Sequence, residues 1–333
     1  MKLSSITFLL VLTLGVISAQ EITFSGYGAT GFIFTNKNML NGYNQETYYE
    51  AKFQSDIKIN SKIEAQLDFR GNSRDDDVEL KEVSVKLKFW KYFRLKIGNI
   101  KKPFGYEQLV NREKLLTTDR TLLHQNVSET GFGGREFSIM GYYKYSEKRP
   151  EHPYSYYFSF SKDNSLSFSG NARFIYHKND FNYGASYMYY NQGGEETIGS
   201  HGFSFDISRK MKKYTTALEL LYVNDPVENI RRRLGNQPED VYTFGAKLFT
   251  AYEFDLDSEY FKKIEPIVVA SLYVPDSENS GTNIIQAIIG ANLYFHKYVS
   301  VRLHGDLRLT KTEFNDSYSS KESRGVLEVL VRF

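Results

Sequence analysis

Tyr49-Glu-Ala-Lys-Phe-Gln-Ser-Asp-Ile-Lys58, a short Asn60-Ser61-Lys62 turn, and Ile63-Glu-Ala-Gln-Leu-Asp-Phe-Arg70 form the stretch that decides the fold. Tyr49, Ala51, Phe53 and Ile57 point one way, and Glu50, Lys52, Gln54, Asp56 and Lys58 point the other. In the second half, Ile63, Ala65, Leu67 and Phe69 alternate with Glu64, Gln66, Asp68 and Arg70. Alternation at 180° per residue marks strands with two different environments. In a soluble sandwich the polar face meets bulk water. In a transmembrane barrel it lines an aqueous lumen, and the apolar face meets lipid.

Working outward, the same pattern recurs along the chain. Ile22–Phe34 reads as a first strand, and Val83, Val85, Leu87 and Phe89 oppose Ser84, Lys86 and Lys88. Phe93, Leu95 and Ile97 oppose Arg94 and Lys96. Further strands are expected near 135–146, 154–162, 171–177, 181–191, 202–209, 214–223, 240–252, 264–274, 283–295, 298–310 and 324–333. The total is about sixteen, an even number that suits a closed antiparallel barrel.

Connectors after even-numbered strands are mostly short, such as Trp90-Lys-Tyr92 and Lys178-Asn-Asp180. Those after odd-numbered strands are longer, such as Asn36–Gln45, Asn224–Glu239 and Lys311–Ser323. Short periplasmic turns and longer outer loops are the outer-membrane arrangement. Asp255–Lys263 is long for an inner turn. Aromatics gather at strand ends (Phe89, Trp90, Tyr92, Phe93; Tyr294, Phe295, Tyr298), as interfacial girdles do. The last strand sets Leu327, Val329, Val331 and Phe333 on one face, and a strand closing the ring removes the unpaired edge that lipid penalises.

Composition agrees. Aromatics make up 16% of the chain, with 26 Tyr and 25 Phe, and 25% is charged, the mixture a wall with one apolar and one polar face requires. The formal net charge of +2 gives no reason to expect nucleic-acid binding, so any preference for anions must come from local arrangement. There is no Cys, hence no disulfide or thiolate metal site, and the six His lack metal-ligand spacing. No metal or cofactor is expected. Residues 1–19 carry Lys2, an apolar run from Phe8 to Ile17 and Ala19, which predicts a signal peptide cleaved after Ala19. The run is too short for a spanning helix. The mature barrel is expected over 20–333, in the bacterial outer membrane.

One segment interrupts the pattern. Strand character breaks at Gly98-Asn-Ile-Lys-Lys-Pro-Phe-Gly105, and no alternation returns until Arg135-Glu-Phe-Ser-Ile-Met-Gly-Tyr-Tyr143. Connections this long and irregular are uncommon unless functional. About 98–134 is therefore expected to fold into the barrel mouth and constrict it.

Gly98-x-x-Lys101-x-Pro103-Phe104-Gly105-x-Glu107 resembles the opening of the constriction segment in the phosphate-selective porin O and P family, and Asp119-Arg120 matches that family's acid–Arg pair. Where the family re-enters the wall with Arg-Asp-x-Gly, this chain has Arg135-Glu-Phe-Ser138. Ile288–Phe295 followed by Val299-Ser-Val-Arg302 is similar to its C-terminal hairpin. The resemblance implies sixteen strands, a homotrimer, and passive diffusion of small anions such as phosphate.

Candidate pore-lining, anion-binding residues are Lys101, Arg112, Arg120 and Arg135 in or beside the insertion, and Arg70, Lys86, Arg94 and Lys96 on the wall. Basic groups in a narrow, partly desolvated pore concentrate anions and replace their hydration. The bland alternative is that Glu107, Glu113, Asp119 and Glu129 pair with them and brace the loop; Lys101 and Arg120 are the two least expected to be so used. Asp75-Asp-Asp77 could hold Ca²⁺ but reads more simply as a solvated loop, and Arg231-Arg-Arg233 as solvated charge or a contact for lipopolysaccharide phosphates. Lipid and lipopolysaccharide are the expected surroundings. The chain is not expected to be an enzyme, Ser200-His201 and His304/Asp306 forming no recognisable constellation. A non-selective or cation-leaning general porin, a barrel enzyme, and a sealed receptor or structural barrel are the competing readings.

Overall fold

A computed structural model describes residues 20–36, 43–74, 76–163, 166–193, 198–235, 241–277, 283–310 and 323–333. The expected signal peptide, and Asp75 of the acidic triplet, lie outside them. The chain forms one antiparallel sheet closed on itself. Its long strands are β1 (Glu21–Asn36), β2 (Tyr43–Lys58), β3 (Ile63–Asn72), β4 (Asp77–Trp90), β5 (Phe93–Lys101), β6 (Arg135–Tyr143), β7 (Tyr154–Lys162) and β8 (Phe168–Lys178). They continue with β9 (Phe181–Gln192), β10 (Ile198–Lys210), β11 (Tyr214–Asn224), β12 (Tyr242–Tyr252), β13 (Lys263–Val274), β14 (Ile284–His296), β15 (Val299–Thr310) and β16 (Arg324–Arg332). Each pairs with its sequence neighbours, and β16 returns to β1 through nine pairs, from Tyr27↔Arg332 to Thr35↔Arg324. Among the described residues the barrel thus has sixteen long strands and no free edge, so the wall's backbone groups are satisfied without water.

The period-two reading of the faces holds. Glu50 and Lys52 are buried toward the interior, while Tyr49 and Phe53 are 64% and 45% exposed on the outside. Phe137, Phe158, Phe160, Phe205, Ile289, Leu303 and Leu309 continue this exposed apolar surface around the barrel. An apolar band on this scale suits lipid and not water. At the turn end, Trp90 stacks on Phe93 at 5.1 Å between centroids, beside Phe89. Among the described residues no helix is long and apolar enough to cross a membrane.

Five details differ from the sequence reading. Gly98 does not end its strand: β5 runs on to Lys101, with Gly98 paired to both Ser84 and Ser138. A Cβ there would sit 1.9 Å from the Val83 carbonyl oxygen, and φ is +139°, so glycine lets the strand pass where another residue would stop it. The β6 strand ends at Tyr143, short of the expected 146.

The long turn after β12 is a prolonged hairpin: Phe254↔Ile264 and Asp255↔Lys263 resume the ladder after a gap opposite Pro266, which has no N–H to give. Finally, the expected outer loop 224–239 carries a helix, α2 (Pro226–Leu234). Asp225 caps it by accepting from the backbone N–H of Val227 and Glu228, and Pro226 occupies its first turn. The length rule for connectors is also looser than expected, since 144–153 joins β6 to β7 on the short-turn side, and only 73–76 joins β3 to β4 on the other.

Candidate constriction site

Residues 102–134 lie inside the barrel and contain a short helix, α1 (Leu122–Val127). Their seat is apolar. Phe104, Leu122, Leu123, Val127 and Phe132 pack against Met188 and Tyr190 of β9, Leu221 and Val223 of β11, Tyr273 of β13 and Ile284 of β14 in one buried cluster. Full burial of each such side chain is worth about 1.5–3 kcal/mol. Gly245 provides the socket for Leu123, because a Cβ there would stand 2.0 Å from the leucine Cδ1.

A charged clamp sits within this seat. Lys247 Nζ lies 3.1 Å from Glu107 Oε2 and 3.0 Å from Glu219 Oε2, and His124 Nε2 is 2.8 Å from Glu219. The Tyr106 backbone N–H donates to Glu219 at 2.6 Å, and the Thr121 hydroxyl donates to Glu107 at 2.7 Å. Burial raises the Glu107 carboxyl, but Lys247 and His124 more than offset this and hold it below the usual carboxylate range. The motif glutamate therefore fastens the loop. Further stitches reach β14 and β15: the Leu122 N–H donates to Gln286, Asn292 donates to the Leu116 carbonyl, and the Thr118 N–H donates to His304 Nδ1.

The loop's other side faces charge, and here the expected site residues separate. Arg112 bonds Glu328 in two-pronged fashion, and its Nε lies 3.4 Å from Glu50. Glu50 also takes Arg70 at 2.6 Å and the Tyr27 hydroxyl; Glu328 takes the Tyr48 hydroxyl at 2.7 Å and Arg302 at 3.4 Å. Arg112 and Arg70 thus brace the seam β16–β1–β2 where the barrel closes, through the wall carboxylates Glu328 and Glu50 and not through the loop acids Glu107, Glu113, Asp119 and Glu129 that the bland reading named. Lys96 pairs with Glu82, and Lys86 with Asp56 at 3.6 Å. Arg94 bonds Tyr142. Arg135 stays loosely held, 3.7 Å from Glu82 and 3.9 Å from Asp68.

Lys101 and Arg120 behave differently. Both reach the Val110 carbonyl oxygen, Lys101 Nζ at 3.2 Å and Arg120 Nη2 at 2.8 Å, and Lys101 also meets Asn111 Oδ1 at 3.1 Å. Among the described residues neither forms an ion pair. Burial lowers the Arg120 guanidinium from its ordinary value, Glu107 opposes this, and Arg135 and Arg70 push it down again; an arginine remains charged through such a shift.

Lys101 and Arg120 line a small cavity of about 30 Å³ between loop and wall, with Lys52, Arg70, Lys81, Arg112 and Arg135 as further bases and Asp68 and Glu113 as the acids among its described lining residues. The Nε atoms of Arg70, Arg120 and Arg135 are buried and have no hydrogen-bond partner among the described residues. Toward the outer loops this gap shares Arg70 and Lys81 with a cavity of about 90 Å³. Toward the turns it shares Lys101 and Asn111 with one of about 380 Å³, and Glu113 with one of about 330 Å³.

Residues 34–145 match the family model of the phosphate-selective porins O and P. That is the family the sequence resembles. The match to the O and P porins spans the end of β1, all of β2–β6 and the whole constriction segment. Among curated proteins, none matches by sequence. The fold is that of porins. An anion-selective porin from Comamonas acidovorans superposes with a TM-score of 0.67 at 12% identity, over 94% of this chain and 99% of that one. Salmonella typhi OmpF, in complex with daunomycin, gives 0.63 at 14% identity, over 95% and 99%. OmpT of Vibrio cholerae, in a trimer form, gives 0.62 at 8% identity, over 94% and 99%.

The remaining candidates resolve simply. Arg231 and Arg232 pair with Glu228 on α2, and Arg232 also with Asp276 at 2.5 Å. Ser200 is buried and donates to Asn224, whereas His201 is exposed on the opposite face beside Tyr187. His304 meets Asn292 while Asp306 takes Arg308 and Arg324, so the two form no relay. What the sequence reading missed is the apolar interior of β9–β14. Its signal was present in Ile284-Ile-Gln-Ala-Ile-Ile289, which is apolar on both faces.

Proposed function

We propose that the protein is an outer-membrane porin through which small hydrophilic solutes diffuse passively, with a preference for anions such as phosphate. The observation that carries this is the convergence of Lys101 and Arg120 on one carbonyl oxygen, with no ion pair among the described residues, inside a gap lined by seven bases and two acids. Lys101 and Arg120 side by side in this basic gap attract an anion, and the Nε donors of Arg70 and Arg135, which lack a hydrogen-bond partner among the described residues, suit tetrahedral oxygens. The family match and the likeness in fold to the anion-selective porin of Comamonas acidovorans support the same reading. A channel accounts for this arrangement better than an enzyme, since none of the weighed Ser, His or Asp groups meet. We also read the working form as a homotrimer, processed after Ala19 and surrounded by lipid and lipopolysaccharide. Native mass measurement and N-terminal sequencing of the extracted protein test the first two points.

The transport reading is tested by titrating inorganic phosphate into chloride during single-channel recording. Phosphate is expected to reduce chloride current, and to do so at higher concentration in Lys101→Gln/Arg120→Gln. Current indifferent to phosphate would remove the phosphate preference, and a folded barrel that passes no current would remove the porin reading.

A further inference from the structure

The cavity of about 380 Å³ on the turn side of the constriction is built for more than inorganic phosphate. Its size falls in the range of small-molecule sites. Tyr142 and Tyr157, paired across β6 and β7, present rings parallel to within 1° with centroids 6.1 Å apart. Beside this aromatic surface the wall contributes the amides of Gln54 and Gln66 together with Glu82, Lys86, Lys96 and Lys144, and the loop contributes Asn111. Lys101 stands where this cavity meets the cationic gap. A bare inorganic anion has no use for paired aromatic rings, and it uses only the donating half of a side-chain amide. A sugar ring does: its C–H face packs on an aromatic surface, and its hydroxyls exchange hydrogen bonds with amides, which both donate and accept.

We infer that this inner cavity is a binding site for a phosphorylated monosaccharide, its ring on Tyr142 and Tyr157, its hydroxyls on Gln54, Gln66 and Asn111, and its phosphate directed to Lys101. The inference rests on the anion-porin reading above and names the class of solute that this reading leaves open. The phosphate end is held at the entrance to the gap while the ring occupies the roomier chamber, so the site orders an organic phosphate on the path through the barrel.

The test is current block in planar bilayers by glucose 6-phosphate, inorganic phosphate, glucose and adenosine 5′-monophosphate, on wild type, Tyr142→Leu/Tyr157→Leu and Tyr142→Phe/Tyr157→Phe. Glucose 6-phosphate is expected to block wild type at about five-fold lower concentration than inorganic phosphate, an aromatic contribution of ordinary size. The leucine pair should abolish that advantage and leave inorganic phosphate block unchanged, and the phenylalanine pair, which keeps the rings, should retain it. Equal block by the two phosphates in wild type overturns the site but leaves the anion porin standing. Tighter block by the adenosine nucleotide than by the sugar phosphate overturns the monosaccharide assignment. Wild type that none of the phosphates blocks overturns both the site and the phosphate preference on which it rests.

Discussion

The two halves of the barrel interior differ in kind. From β9 to β14 the lumen face offers Met188, Leu221, Val223, Tyr273 and Ile284, and the constriction segment is glued there by Phe104, Leu122, Leu123, Val127 and Phe132. From β15 through β16 and on to β6 it offers Arg302, Glu328, Glu50, Lys52, Asp68 and Glu82, and the segment meets this wall through ion pairs such as Arg112–Glu328 and Lys52–Glu113, around a small charged gap. A loop wetted equally on both sides has no reason to choose a wall. The asymmetry fixes its position, so that holding the loop and passing solute fall to different residues.

The comparison breaks most sharply on the apolar side. Leu123→Ala empties the socket over Gly245 and is expected to destabilise the barrel by about 2–5 kcal/mol, read by urea unfolding in detergent. An intermediate loss is expected for Arg112→Lys, which exchanges a two-pronged grip on Glu328 for a point contact at a cost of about 1–3 kcal/mol. Because the charge stays, ion selectivity should change little, and a large selectivity change would show that Arg112 serves the pore and not the seam.

Acid probes the clamp. Glu107 is held below its ordinary value, so the stability it contributes is complete above that value and declines as pH falls below it through the lowered one. Thermal unfolding from pH 6 downward should show an acid-side loss in wild type that is shallower in Glu107→Gln. The smallest effect is expected for Arg231→Ala, on the exposed side of α2: stability within about 0.5 kcal/mol of wild type and selectivity unchanged, in the same unfolding and bilayer assays.

Much of the wall was legible because alternation is local: Glu50 in and Tyr49 out follow from neighbours two residues away. What escaped depends on distance or backbone. Arg112 looked like a pore cation because its partner Glu328 lies 216 residues further on, across the closing seam. Gly98 looked like a terminator because glycine usually is one, and only the close approach of the Val83 carbonyl explains its use within a strand. The α2 helix was readable from Asp225-Pro226 but was masked by the expectation of an open loop. Lys101 and Arg120 were singled out by position in the motif, yet their meeting on Val110 depends on how 102–134 folds back, which no periodicity encodes.

The zero-current potential across a planar bilayer with a tenfold KCl gradient tests the division of labour most directly. Wild type should develop the sign of an anion-selective pore, and Lys101→Gln/Arg120→Gln should move it toward zero or beyond while the barrel stays folded. A cation-selective sign in wild type, or a double variant indistinguishable from it, would contradict the account.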